Sequence, residues 1–113
     1  MADCIFCKIA KGEIPAKIVY EDDRTMVFAD LNPQAPTHLL VIPREHIASL
    51  ADMQEPQAEL IGHLQFVAAT VAKQSGLRDG FRTVMNTGRD GGQTVGHLHV
   101  HLLGGRHMGW PPG

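Results

Sequence analysis

The chain of 113 residues has no excess of positive charge: ten lysines and arginines stand against twelve aspartates and glutamates, for a net charge near −2. It therefore carries no basic field for a polynucleotide backbone, and a nucleic-acid polymer is not an expected partner. No apolar run approaches the length needed to cross a bilayer, and the opening Met-Ala-Asp-Cys-Ile-Phe-Cys-Lys lacks a basic leader followed by an apolar stretch. These absences point to a cytoplasmic protein without a membrane partner. There is no internal repeat, low-complexity tract or linker, and the length suits one domain, 1–113. With 43% hydrophobic and 19% charged residues the composition is that of a globular domain rather than a disordered one. Only two cysteines are present, as Cys4-x-x-Cys7. In a reducing compartment that spacing reads as metal binding or redox chemistry, not as a structural staple.

What the chain does have is concentrated between Gly88 and Gly105. In His97-Leu98-His99-Val100-His101-Leu102-Leu103 three histidines alternate with apolar residues at the period of a β-strand, so the imidazoles share one face, expected to be open, and Leu98, Val100 and Leu102 the other. Just upstream, Gly88-Arg89-Asp90-Gly91-Gly92-Gln93-Thr94 is glycine-rich and ends in side-chain donors, a composition suited to converging amides on an anion. An anion cradle beside imidazoles that are neutral near pH 7 points to chemistry at phosphorus. A His-x-His pair can equally converge on a metal ion, and that alternative stays open at this point.

The remaining elements follow from pattern. Residues 4–12 suit a short helical turn closed by Gly12. Ile18–Glu21 and Thr25–Ala29 are β-prone runs joined as a hairpin. His38–Pro43 is a nearly continuous apolar strand, expected at the sheet centre, and 44–52 a loop or short helix. Over 55–75, Leu60, Ile61, Leu64, Val67, Ala68, Val71 and Ala72 keep a three-and-four spacing, which predicts the long helix, with Gly76 as its cap and His63 off the apolar stripe and solvated. Strands are expected at Phe81–Asn86 and Leu98–Leu103, and an irregular tail at Gly109–Gly113, whose lone Trp110 is left as a surface anchor or a contact. The sum is an α+β domain on a mainly antiparallel five-stranded sheet with one long and one short N-terminal helix.

These blocks together resemble the histidine triad (HIT) family, and most closely its Hint, or protein kinase C inhibitor-like, branch. The resemblance runs end to end through Glu13-Ile14-Pro15-Ala16-Lys17, Glu21-Asp22-Asp23, Pro33-Gln34-Ala35-Pro36-Thr37-His38, Val41-Ile42-Pro43, Gly91-Gly92-Gln93-Thr94-Val95, the triad, Gly104-Gly105-Arg106 and Trp110-Pro111-Pro112-Gly113. It implies a homodimer with the sheet extended across it, and hydrolysis of purine nucleoside phosphoramidates such as AMP-lysine or adenosine 5′-phosphoramidate. His99 would be the nucleophile that forms a nucleotidyl-histidine, its tautomer fixed by a backbone carbonyl. His101 would meet phosphate oxygens and aid the leaving group, His38 would join the same network, and Thr94 would assist.

Gly92, Asn86, Gln93, Thr94 and the Val95 amide match phosphate-contact positions, Asp30 the carboxylate that holds the ribose, and Phe6, Ile9, Ile14, Phe28, Leu31 and Leu40 the purine walls. Cys4, Cys7, His46 and His97 match the ligands through which some members bind structural zinc, while other members lack the cysteines; no metal would be needed for catalysis. Gly96 departs from relatives that carry a bulky aromatic there, and the region of His107 and Gly109 also varies, which leaves leaving-group preference open. Other functions compatible with these residues are a dinucleoside polyphosphate hydrolase, a nucleotidyl transferase (disfavoured by the complete triad), a non-catalytic purine-nucleotide-binding module, and a metal-dependent hydrolase using the triad as ligands.

Overall fold

The computed structural model describes residues 4–113; residues 1–3 of the expected 1–113 domain lie outside the described residues. The chain forms helix α1 (Ile5–Ala10), strands β1 (Ile18–Glu21), β2 (Thr25–Ala29) and β3 (Thr37–Pro43), two single 3-10 turns at Leu50–Asp52 and Glu55–Gln57, helix α2 (Ala58–Gln74), then β4 (Phe81–Val84) and β5 (Val100–Gly104). The sheet runs β1-β2-β3-β5-β4 with every neighbouring pair antiparallel. This is the α+β, five-stranded, two-helix architecture expected, with β3 in the middle position. No helix among the described residues is long and apolar enough to cross a membrane.

The central strands are buried on both faces, which is why they read as continuous apolar runs. Val27, Leu39 and Val41 join Leu98, Val100 and Leu102 beneath the row Leu60, Leu64, Val67, Ala68, Val71 and Ala72 of α2. The alternate residues Met26, Phe28, Leu40 and Ile42 pack on Phe6 and Ile9 of α1. One face of the sheet therefore belongs to α2, and the other to α1 and the histidines.

Both helices stop as their glycines predict. At α1 the Glu13 amide reaches the Lys8 carbonyl at 2.8 Å and the Gly12 amide the Ile9 carbonyl at 3.0 Å. At α2 the Leu77 and Gly76 amides reach Ala72 and Lys73, each at 3.1 Å. This is the double closure that a left-handed residue after the helix allows, and Gly12 and Gly76 have φ of 76° and 75°.

Three expectations are corrected. The strand expected at Leu98–Leu103 begins only at Val100. In register, Leu98 would face Pro43, which has no N–H to continue the ladder, and the Leu98 amide instead bonds the Ile47 carbonyl at 2.7 Å. His63 is not free in solvent: its Nε2 lies 2.8 Å from Asp22 Oδ2, clasping α2 to the β1–β2 turn, with its side chain 25% exposed. The strand expected at Phe81–Asn86 likewise ends at Val84.

Candidate functional site

His38 lies on β3, His101 on β5, and His97 and His99 on the irregular segment that leads into β5, His97 at its bend. The expected open row of imidazoles is not found: His97 is fully buried, His99 nearly so, and only His101 is partly open. The cause is α1, whose Phe6 ring sits edge-on to His97 and His99 with centroids 5.9 and 5.2 Å away. The apolar half of the alternation holds, since Leu98, Val100 and Leu102 all enter the core under α2.

Backbone partners assign a tautomer to each ring, because an N–H can only donate and a carbonyl only accept. The Gln34 amide donates to His38 Nδ1 at 2.9 Å, so the neutral ring carries its proton on Nε2. That proton faces His101 Nδ1 at 2.9 Å and Asp30 Oδ2 at 3.3 Å. With its Nδ1 accepting, His101 keeps its own proton on Nε2. His99 Nδ1 lies 2.7 Å from the His97 carbonyl and must donate there, which leaves the Nε2 lone pair free. His97 Nε2 donates to the Pro43 carbonyl at 2.9 Å, so its Nδ1 lone pair points into the cysteine cluster.

Burial sets the charge of these rings. It pushes His101 down to about 4, helped by the neighbouring His99 and His38 and only partly opposed by Asp30. Burial also lowers His38, against the pull of Asp30.

His99 and His101 line a cavity of about 270 Å³. Its walls include Phe6, Ile9, Ile14, Phe28 and Leu40, with Leu31 fully exposed at the rim, and Asp30, Thr94 and Val95 contribute as well. These are the residues the sequence proposed. Lys17, Ile5, Pro15, Ala16 and Ala29 also line it and were missed. Ile14-Pro15 reads locally only as a break, with nothing to say that the chain after it passes the cavity.

Asp30 is a turn former and a site residue at once. Its Oδ1 accepts from the Asn32 amide at 2.8 Å while Oδ2 faces His38. Asn86, Gly92 and Gln93 are not among the lining residues. Asn86 Nδ2 donates to the Gly91 carbonyl at 2.7 Å, and Gln93 Nε2 donates to the Ala48 and Val95 carbonyls at 2.7 and 3.0 Å. Gln93 Oε1 accepts the Gly88 amide at 3.0 Å, and the Gln93 and Gly92 backbone amides return to the Gly88 and Arg89 carbonyls. The loop is thus braced by the donors expected to hold an anion, and Thr94 and Val95 are the part of it that reaches the cavity.

The second constellation is fully assembled. Cys4 Sγ and Cys7 Sγ lie 3.3 and 3.5 Å from His97 Nδ1, Cys7 Sγ lies 3.3 Å from His46 Nδ1, and the two Nδ1 atoms are 3.2 Å apart. A tetrahedron with metal–sulfur bonds of about 2.3 Å and metal–nitrogen bonds of about 2.05 Å has S···N edges near ~3.5 Å and N···N edges near ~3.3 Å. The cluster has those edges, and the His97 tautomer presents a lone pair to it, so the residues fit a tetrahedral zinc-type ion. Burial, and then the Cys4 thiol, push the Cys7 thiol up, so without a cation the cluster keeps its thiols protonated, and a bound metal would displace those protons. Asp30, His38 and His101 also bring donor atoms within 4.8 Å of one another. That trio is not organised for a metal, because the Gln34 amide fills His38 Nδ1 and holds a proton on the nitrogen that would have to ligate.

A five-stranded antiparallel sheet that carries a buried histidine with a free Nε2, a second histidine and an apolar cavity defines a histidine-triad type of protein. Residues 3–110 match the family model described as "Scavenger mRNA decapping enzyme C-term binding". The chain is 56% identical over 111 residues to a HIT-like protein of Synechococcus elongatus, covering 98% of this chain and 97% of that one. It is 55% identical to a 14 kDa zinc-binding protein of Zea mays, covering 96% and 87% of the two chains. The crystal structure of a HIT family hydrolase from Legionella pneumophila superposes with a TM-score of 0.96 at 51% identity, covering 98% of this chain and all of that one. The chain belongs to the histidine triad family.

Proposed function

We propose that the protein is a hydrolase of purine nucleoside 5′-phosphoramidates, acting through a nucleotidyl-histidine at His99. The observation that carries this reading is the 2.7 Å bond from His99 Nδ1 to the His97 carbonyl, which leaves Nε2 as a neutral nucleophile on an apolar cavity. Phe6, Ile9, Ile14, Phe28, Leu31 and Leu40 would take the base, Asp30 the ribose, and Thr94 and Val95 the phosphate oxygens, with Asn86, Gly92 and Gln93 holding the loop that presents them. The similarity to a named HIT family hydrolase supports a hydrolytic outcome.

In the first step His99 Nε2 attacks the α-phosphorus, the P–N bond breaks, and the leaving nitrogen takes a proton from His101. The apo ring is neutral at pH 7, but an anionic phosphate beside it favours the imidazolium, so substrate binding brings that proton in. In the second step water attacks the phosphorus, His101 accepts a water proton, and AMP and neutral His99 are released. In the neutral resting ring His38 directs its Nε2–H at His101 Nδ1, which turns the other nitrogen of His101 to this work; that bond gives way when His101 is protonated on both nitrogens.

Cys4, Cys7, His46 and His97 would hold zinc, in line with the name of the maize relative, as a closed structural site with no open position for substrate. Two metal-binding thiols suit a reducing compartment such as the cytoplasm. A homodimer is supported by the outer edge of β4, which has no strand beside it among the described residues, and by the exposed Phe66, Phe81 and Trp110; sedimentation equilibrium tests it.

The deciding experiment is release of AMP from adenosine 5′-phosphoramidate in the presence of chelator. We expect turnover by the parent, indifferent to chelator, and a loss of at least about a thousandfold in kcat/KM for His99→Ala. No turnover despite AMP binding would leave a nucleotide-binding module. The decapping description of the matched family model favours a second substrate class, dinucleoside polyphosphates. A cavity of about 270 Å³ holds one nucleotide of either substrate, and parallel assays on a diadenosine polyphosphate separate the two.

A further inference from the structure

Helix α1 belongs to two sites. Its cap Cys4 and its Cys7 are half of the cysteine–histidine cluster, while Ile5, Phe6 and Ile9 line the nucleotide cavity. Six residues cannot hold a helix in water by themselves. The C-terminal end of α1 is tied down by Arg44, whose Nη1 donates to the Ala10 carbonyl at 3.0 Å while its Nε donates to the Asp22 carbonyl at 2.8 Å. The N-terminal end has the cluster. Between them Phe6 presses edge-on against His97, His99 and Phe28.

His97 is shared as well. Its Nδ1 faces the thiols, its Nε2 is held by the Pro43 carbonyl, and its own carbonyl oxygen takes the Nδ1–H of His99. Displacement of this one residue would move a ligand and the group that orients the nucleophile together.

We propose that α1 and His97 couple the metal cluster to the nucleotide cavity, so that metal and nucleotide each raise the other's affinity. This rests on the nucleotide-site reading given above. A metal in the cluster fixes the α1 wall, and the base pressed on Phe6 and Ile9 in turn fixes the thiols. Linkage requires the two enhancements to be equal. His97 and α1 are positioning elements here, because they act through His99 and through the cavity wall.

The test is a pair of affinities on the full chain. AMP binding is measured calorimetrically on zinc-loaded protein and on metal-stripped protein verified as folded by circular dichroism. Zinc affinity is measured by chelator competition with and without saturating AMP, with adenosine as a control that has no phosphate to bind free metal. We expect AMP to bind about tenfold more weakly without zinc, and zinc to bind about tenfold more tightly with AMP, within the range typical of coupled sites.

Cobalt(II)-substituted protein removes any dependence on a stable metal-free form: AMP should shift the cobalt d–d bands, although no cluster residue lines the cavity. Phe6→Leu, which keeps all four ligands, should shrink the two enhancements, of AMP by zinc and of zinc by AMP, by the same factor. Equal AMP affinities with and without zinc, or an unchanged cobalt spectrum at saturating AMP, would overturn the coupling and leave the nucleotide site intact. Failure of AMP to bind either form would remove the nucleotide site, and the coupling with it.

Discussion

At the scale of single residues the site is a set of proton positions fixed by backbone. The Gln34 amide, the His97 carbonyl and the Pro43 carbonyl each choose a tautomer, and the result is one free Nε2, on His99, beside one Nε2–H, on His101. His101 is held down to about 4 by burial and by its histidine neighbours, so the apo ring is neutral at pH 7. An anionic phosphate in the cavity reverses that balance, and AMP binding at pH 7 should therefore take up a fraction of a proton. Calorimetry in buffers of different ionisation enthalpy measures the uptake directly. His101→Asn should abolish it, and uptake unchanged in that variant would assign the proton elsewhere. The residue types of this site were legible in the sequence, and the family resemblance implied a backbone carbonyl behind His99 and a place for His38 in the network, but the partners of the loop residues were not legible. Nothing near Asn86 or Gln93 tells that their donors end on Gly91, Ala48 and Val95.

At the scale of elements, periodicity located the strands and the buried stripe of α2, because alternation and the three-and-four spacing are local properties. It failed where a distant group decided. The triad strand stops short because Pro43 cannot extend the ladder and Ile47 captures the Leu98 amide. His63 falls off the apolar stripe as expected, yet it is held by an aspartate 41 residues earlier. The glycine loop is the element where local sequence and tertiary need agree most closely. A Cβ on Gly91 would lie 2.3 Å from the Thr87 carbonyl oxygen, whereas one on Gly96 would have nothing within 4 Å. Gly91→Ala should therefore cost on the order of 2 to 4 kcal/mol and weaken AMP binding by displacing Thr94 and Val95. Gly96→Ala should stay within about 0.5 kcal/mol of the parent. Urea denaturation of the two variants checks this, and equal costs would mean that the loop is free to rearrange.

At the scale of the whole molecule, the buried histidines and the Asp22 clasp divide acid stability into two windows. His38 and His101 have native affinities for protons below the ordinary value of 6.5, so the unfolded chain binds protons first. The stability they confer is complete above about pH 6.5 and is lost as pH falls, until His101 charges in the native state near 4. Asp22 acts lower. Burial would raise its carboxyl, but donors from the Arg24 amide, His63 and Tyr20 outweigh burial and hold it at about 2, against 3.8 when free. Its contribution is present above 3.8 and is lost between 3.8 and about 2. Each group changes stability by at most about 1.4 kcal/mol per pH unit within its own window. Urea midpoints from pH 8 to 2 should show the two declines. Comparing variants with the parent cancels whatever acid does to the metal cluster. The difference between parent and Asp22→Asn should be constant above pH 4 and shrink below it. That between parent and His101→Gln should change between pH 6.5 and 4 and be flat beneath. A single decline shared by both differences would mean that the clasp between α2 and the β1–β2 turn and the histidine network on the opposite face of the sheet titrate as one unit, coupled through β2 and β3.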